Sequence, residues 1–192
     1  MEVVLRKYAF TNLLWLGMLS YPREVLAYLY GEKKNGFVDV KAVLCNLRGR
    51  RSLDECDILN DDVLRRIEKN LDRTEGRIVG DVHTHPEQVR HYKLVEFNMF
   101  RDYMDEIFNS TNPSRGDKKD MKKNGEVYLI MSLFSMEILR DTALLDFNQD
   151  TNLSRIFKTR DFLFCLSAWH HSRSKKDFVK APIKIEGLDS LC

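Results

Sequence analysis

The sequence predicts an α/β fold: a mixed β-sheet flanked by helices, formed as one domain over residues 1–192 with a polar insertion near 109–125. Three observations carry that expectation. Short apolar runs suited to strands alternate with longer stretches of helical period, in the order αββαβαβ…ββ. A hydrophobic share of 43% is enough for one sizeable core, and 31% charged residues suit a water-facing surface. No internal repeat or linker divides the chain.

Residues 4–20 place Leu5, Tyr8, Leu13, Leu16 and Leu19 close to helical spacing, and Pro22 stops the pattern. "EVLAYLYGE" and "GFVDVKAVLC" read as two strands joined by the polar turn "EKKNG". "NDDVLRRIEKNLDRTEG" reads as a helix. Asn60 caps it, Asp61 and Asp62 favour its positive end, Val63, Leu64, Ile67 and Leu71 form one apolar stripe, and Gly76 ends it. "RIVGDVHTH" is the next strand, and a second helix is expected from about Tyr92 to Phe108.

"NSTNPSRGDKKDMKKNG" is polar, contains Pro and Gly, and reads as a mobile insertion. "EVYLIMSLF" is a buried strand and "MEILRDTALLDF" a further helix. "DFLFCLSAWHH" and "DFVKAPIKIE" close the sheet.

Charge and cysteine content exclude several classes. With 31 basic and 29 acidic side chains the net charge is +2, which argues against a dedicated nucleic-acid binder. The basic clusters "LRGRR", "RGDKKDMKK" and "SRSKK" read as solvated loops. Four cysteines, Cys45, Cys56, Cys165 and Cys192, form neither a CxxC pair nor a disulfide framework, as expected of reduced thiols in a cytoplasmic protein. The apolar run "LLWLGML" is too short to span a bilayer and lacks a cleavage site beyond it, so no membrane segment is expected.

The chemistry centres on "VGDVHTHPEQVRHYKLVE", residues 79–96, where two of the chain's five histidines stand one residue apart. Residues i and i+2 of a strand point to one face, so His83 and His85 can present their imidazoles together, and Pro86 stops the strand beyond them. Neutral imidazole is a good zinc ligand, and a catalytic zinc site wants three protein ligands and one open position. Glu96, eleven residues after His85 and early in the expected helix, is the candidate third ligand, with His91 as its rival. A base must also come from elsewhere in the chain, and Glu24, at the edge of an otherwise apolar strand, suits that role. His170 and His171 have no acidic partner at ligand spacing and read as structural.

These residues resemble the JAMM (MPN-plus) metallopeptidases, especially the compact prokaryotic ones. That family's pattern runs from P-x-E-x-x-G-x-L-x-G to H-[ST]-H-P, then to a Ser and an Asp at fixed distances. Here "PREVLAYLYG" supplies Pro22, Glu24, Leu29 and Gly31, with Ala27 in place of Gly, and "IVGDVHTHP" supplies the rest. The resemblance covers roughly residues 1–186. It implies a cytidine-deaminase-like JAMM/MPN core, zinc held by His83, His85 and Glu96, and Glu24 as general acid/base.

Glu96 stands where the family has Asp, and Lys93 where it has the Ser that stabilises the oxyanion; Lys93 is the candidate replacement donor. The implied activity is cleavage of an amide or isopeptide bond, with a peptide or the tail of a ubiquitin-like protein as substrate. The alternative is a catalytically impaired MPN-type scaffold or binding module, for which the two altered residues speak. Oligomeric state is not legible.

Overall fold

The computed structural model describes residues 1–45, 66, 69–70, 76–86, 107–121, 126–135 and 153–187. Strand β1 (Glu2–Leu5) alternates outward and inward, with Val3 and Leu5 buried. The sequence pattern put Val4 and Leu5 in the first helix. The strand prevails because β1 pairs in parallel with Phe37–Val40 on one side and Ile183–Ile185 on the other, partners that a local reading does not see. Helix α1 (Lys7–Ser20) follows and buries Phe10, Leu13, Leu16 and Gly17.

β2 (Leu26–Lys34) and β3 (Phe37–Cys45) form an antiparallel hairpin that stays paired out to Lys34 and Phe37. The turn is therefore only Asn35 and Gly36, shorter than the expected "EKKNG", with Gly36 at φ 90° where side chains are disfavoured. Lys33 and Lys34 remain in the strand because they have partners: Glu126 at 2.7 Å and Asp39 at 3.4 Å.

The rest of the sheet is β4 (Arg77–Pro86), β5 (Val127–Ser135), β6 (Ser154–Lys158), β7 (Phe162–Ser172), β8 (Asp177–Ala181) and β9 (Ile183–Ile185), with helix α2 (Arg115–Met121) before β5. The strand order is β6-β7-β5-β4-β2-β3-β1-β9, with β8 also on β7. β4 pairs antiparallel with β2 and parallel with β5, so the sheet is mixed and β4 lies inside it. Gly80 permits the close β4–β5 approach: a Cβ there would lie 1.7 Å from the Val127 carbonyl oxygen.

Alternation divides the sheet into two faces. One carries Ala27, Leu29, Val82, Leu129, Met131, Leu133, Phe164 and Leu166, and packs with Phe10, Leu13 and Leu16 of α1 into the main core. Each fully buried aliphatic side chain there contributes about 1.5–3 kcal/mol relative to exposure. The opposite face carries His83 and His85 and is covered in part by α2 and by the helical residues 107–110.

Two expectations at the C-terminal end change. "DFVKAPIKIE" is not one strand: Pro182 divides it, and β9 crosses to pair with β1 at the other end of the sheet. β6 was not foreseen. The stretch 109–125, read as an insertion, contains α2. Of the expected helix at 60–76, Arg66, Lys69 and Asn70 are described and are helical, and Gly76, its expected end, is described and is not; of that at 92–108, Ile107 and Phe108 are described and are helical. The expected helix at 136–147 lies outside the described residues. Among the described residues no helix is long and apolar enough to cross a membrane.

Candidate metal centre

β4 delivers both histidines to one face near its end, as the alternation requires. Their Nε2 atoms lie 3.1 Å apart, with ring centroids 4.9 Å apart and planes inclined by 55°. His83 is buried and His85 half-buried. Nδ1 of His85 donates to the Ser110 carbonyl at 2.7 Å, which leaves its Nε2 as the acceptor facing His83.

The carboxylate that meets them is Asp117, from the stretch read as an insertion. Its Oδ1 lies 3.5 Å from Nε2 of His83, and its Oδ2 lies 3.7 Å from Nε2 of His85. A reciprocal capping arrangement sets its direction. The Ser114 N–H donates to Oδ2 of Asp117 at 2.6 Å, and the Asp117 N–H donates to Oγ of Ser114 at 3.1 Å. α2 is held in place by Met121, buried among Tyr128, Ile130, Trp169 and Phe178, and by Lys118 paired with Asp177 at 3.1 Å. One ligand atom from each of His83, His85 and Asp117 lies within 4.8 Å of the others, a group that could hold a metal ion.

Electrostatics favour a cation here. Burial alone would lower the His83 pKa, but the contact and charge of Asp117, with Asp81 and Glu24 behind it, leave it raised. Burial and the charge of His83 together lower that of His85. Burial opposes ionisation of Asp117, yet the contact with His83 and the Ser114 hydrogen bonds hold it well below the usual carboxylate range. Nε2 of His83 thus faces one lone pair and one carboxylate, both of which attract positive charge. Asp81, on the same face two residues before His83, is pushed up to about 7 by burial, against the pull of His83.

Glu24 sits just before β2, and its charge acts on His83. Lys93, Glu96 and the rival His91 lie outside the described residues. Asp117 and Ser114 were missed by the sequence reading. Their signal was present: Ser-x-x-Asp directly after Pro113 is a helix-start signature, with the same separation as Lys93 and Glu96. His170 and His171 stay apart from the cluster, with His171 in edge contact with Phe178 at 5.4 Å.

No protein-family model matches the sequence, and no curated protein does. Among solved structures, that of a Desulfitobacterium hafniense protein matches with a TM-score of 0.56 at 16% identity, over 96% of this chain and 92% of that one. At that identity the likeness is one of fold. A JAB1/MPN domain protein from Archaeoglobus fulgidus matches with a TM-score of 0.41 at 14% identity, over 96% of this chain and 99% of that one. That second superposition is loose.

Proposed function

We propose that this chain is a zinc-dependent hydrolase of amide or isopeptide bonds, of the JAMM kind its sequence resembles. One observation carries the reading: two imidazole nitrogens and a carboxylate converge with separations of 3.1, 3.5 and 3.7 Å. Zinc bonds nitrogen and oxygen at about 2.0–2.1 Å, and a tetrahedron with such arms has edges of about 3.3–3.4 Å. The Nε2–Nε2 and His83 Nε2–Oδ1 separations lie near that size, the second carboxylate oxygen is the one nearer His85, and three protein ligands would leave the fourth position open, as catalytic zinc sites do. Zinc held there would supply a Lewis acid for the scissile carbonyl and lower the pKa of water towards 7.

In this reading a carboxylate oxygen of Glu24 accepts the proton of the attacking water and returns it to the leaving amine nitrogen. Oγ of Ser114 accepts from the Asp117 N–H, and its own proton is assigned to the substrate's carbonyl oxygen. Ser114 and Asp117 thereby take the roles first placed on Lys93 and Glu96, which remain rivals. The favoured substrate is a flexible tail of a ubiquitin-like protein laid along a sheet edge in the cytoplasm.

The test is metal content of protein purified without added zinc, beside a panel of ubiquitin-like fusions as substrates. Close to one zinc per chain, lost in His83→Ala and His85→Ala, is the expected result. Full zinc occupancy in the double variant would overturn the ligand set. A zinc-loaded parent that cleaves nothing in the panel would favour the scaffold reading.

A further inference from the structure

The segment that supplies the Ser110 carbonyl is tied to the sheet by a line of hydroxyls that never reaches the metal donors. The Thr111 hydroxyl donates to the Phe108 carbonyl at 2.8 Å and lies 2.7 Å from Oγ of Ser167. Ser167 lies 2.7 Å from Oγ of Ser154, and Nζ of Lys180 donates to Ser154 at 3.1 Å. Each hydroxyl has one proton to give. A carbonyl only accepts, so the Thr111 proton is committed to Phe108, and Ser167 must donate to Thr111. Ser154 must then donate to Ser167, and Lys180 completes the line as a donor. The chain therefore has one polarity, from Lys180 on β8 through β6 and β7 to the carbonyl of Phe108.

Thr111 and Ser167 are fully buried and Ser154 is 1% exposed, so solvent offers these hydroxyls no replacement partners. A line of aligned hydrogen bonds in such surroundings is mutually strengthening and costly to interrupt. The indole N–H of Trp169 holds the same turn by its backbone, donating to the Thr111 carbonyl at 3.0 Å. Ser110 stands between the two anchored residues, Phe108 and Thr111, and its carbonyl lies 2.7 Å from Nδ1 of His85.

We propose that Lys180, Ser154, Ser167 and Thr111 are positioning residues for His85. By fixing the Ser110 carbonyl they keep the His85 proton on Nδ1 and its bare Nε2 turned towards His83 and Asp117. The consequence for metal affinity rests on the zinc reading above; the consequence for the ring's tautomer does not. Partners one step behind a metal ligand typically change metal affinity by about 10–100-fold when removed, and this line acts one step further out. The expected loss is therefore at the low end, about 10-fold.

The experiment combines two measurements on the full chain: ring-nitrogen NMR of His85 in metal-free protein at about pH 8, where imidazole is neutral, and zinc titration against a competing chelator. The parent should show the Nδ1–H tautomer. Thr111→Val and Ser167→Ala should give a mixture of tautomers and about 10-fold weaker zinc binding, and Thr111→Ser should restore both. Parent tautomer and parent affinity in Thr111→Val and Ser167→Ala would overturn the proposal. Should those two fail to fold, Lys180→Met, at the half-buried end of the line, must move both readouts in the same direction, and parent values there overturn it equally. A parent that binds no zinc defeats the zinc reading alone, because the tautomer comparison still decides the positioning role.

Discussion

Thr84 and Val25 exchange two hydrogen bonds: the Val25 N–H donates to Oγ1 of Thr84 at 3.0 Å, and the Thr84 N–H donates to the Val25 carbonyl at 3.0 Å. Thr84 lies between the two histidines but faces the other side of the sheet, buried to 1% exposure. The residue it grips is the one after Glu24, so the same strand that presents the imidazoles also sets where the proposed base begins. Thr84→Val keeps the side chain's volume and removes the acceptor, leaving the Val25 N–H unpaired at a cost of about 1–3 kcal/mol. Hydrolysis should fall while zinc content stays at the parent level, and Thr84→Ser should recover both activity and stability. Loss of zinc together with activity would show that Thr84 supports the histidines and not the base.

Glu24 itself should separate from the ligands. Glu24→Gln keeps the shape and removes the basic oxygen, so kcat should drop by about 10²–10⁴-fold with zinc retained. A variant that keeps parent kcat across the pH range would remove Glu24 from the mechanism.

The third ligand can be assigned by a pair of substitutions. Asp117 lies within 3.5 Å of His83, whereas Glu96 was chosen on sequence spacing alone. Asp117→Asn should weaken zinc binding steeply, and Glu96→Gln should leave it near the parent value. The reverse result would return the ligand to the position that the family spacing suggested.

How far the chain was legible follows from which constraints are local. The period-2 pattern of "RIVGDVHTH" and the apolar runs of β5 and β7 are local, and they placed the histidine face correctly. β1 was absorbed into the helix pattern because four residues carry too little periodicity, and its partners in β3 and β9 are far away in sequence. β9 was hidden for the same reason, since only pairing with β1 separates it from β8 across Pro182. Asp117 is not legible by counting from His85, because the count stops at the first carboxylate of the next expected helix, Glu96, which lies outside the described residues. Here a polar segment containing Pro113 and Gly116 brings the carboxylate back, and polarity alone reads as loop.

One prediction concerns the fold apart from the site. Arg6 grips Asp39 with two hydrogen bonds, at 2.7 and 2.8 Å, and reaches Glu186 at 2.6 Å, joining the start of α1 to β3 and to the residue after β9. The Arg6 contact holds the Asp39 carboxyl below its ordinary value despite burial. A depressed pKa contributes stability above the unfolded carboxylate value and loses it as pH falls through the folded one. Arg6→Met should therefore cost most near neutral pH, about 2 kcal/mol once the partial exposure of Arg6 is discounted. The gap to the parent should narrow towards about pH 4 and below, where Asp39 protonates more readily in the variant. Urea unfolding at several pH values measures this, and a gap independent of pH would refute the account.

The remaining question is which group donates to the developing oxyanion. Ser114 is tied to Asp117 by the capping arrangement, so it stands beside the donor cluster by construction. Lys93 has only its spacing from His85 to recommend it, and its ammonium would face a dication of like charge. A group needed only when charge develops on the carbonyl oxygen lowers kcat and kcat/KM together. Ser114→Ala should do so by about 10²–10³-fold. It also removes a helix cap, which costs about 0.5–2 kcal/mol and loosens Asp117, so zinc affinity must be measured alongside. Ser114→Asp separates the two effects: it keeps a capping acceptor for the Asp117 N–H but brings no proton at neutral pH, so activity should stay low in any zinc-loaded fraction. Lys93→Ala should leave kcat near the parent value. Should Lys93→Ala instead cost about 10²-fold with zinc unchanged, while zinc-loaded Ser114→Ala stays active, the donor is the ammonium and the serine serves only to aim Asp117.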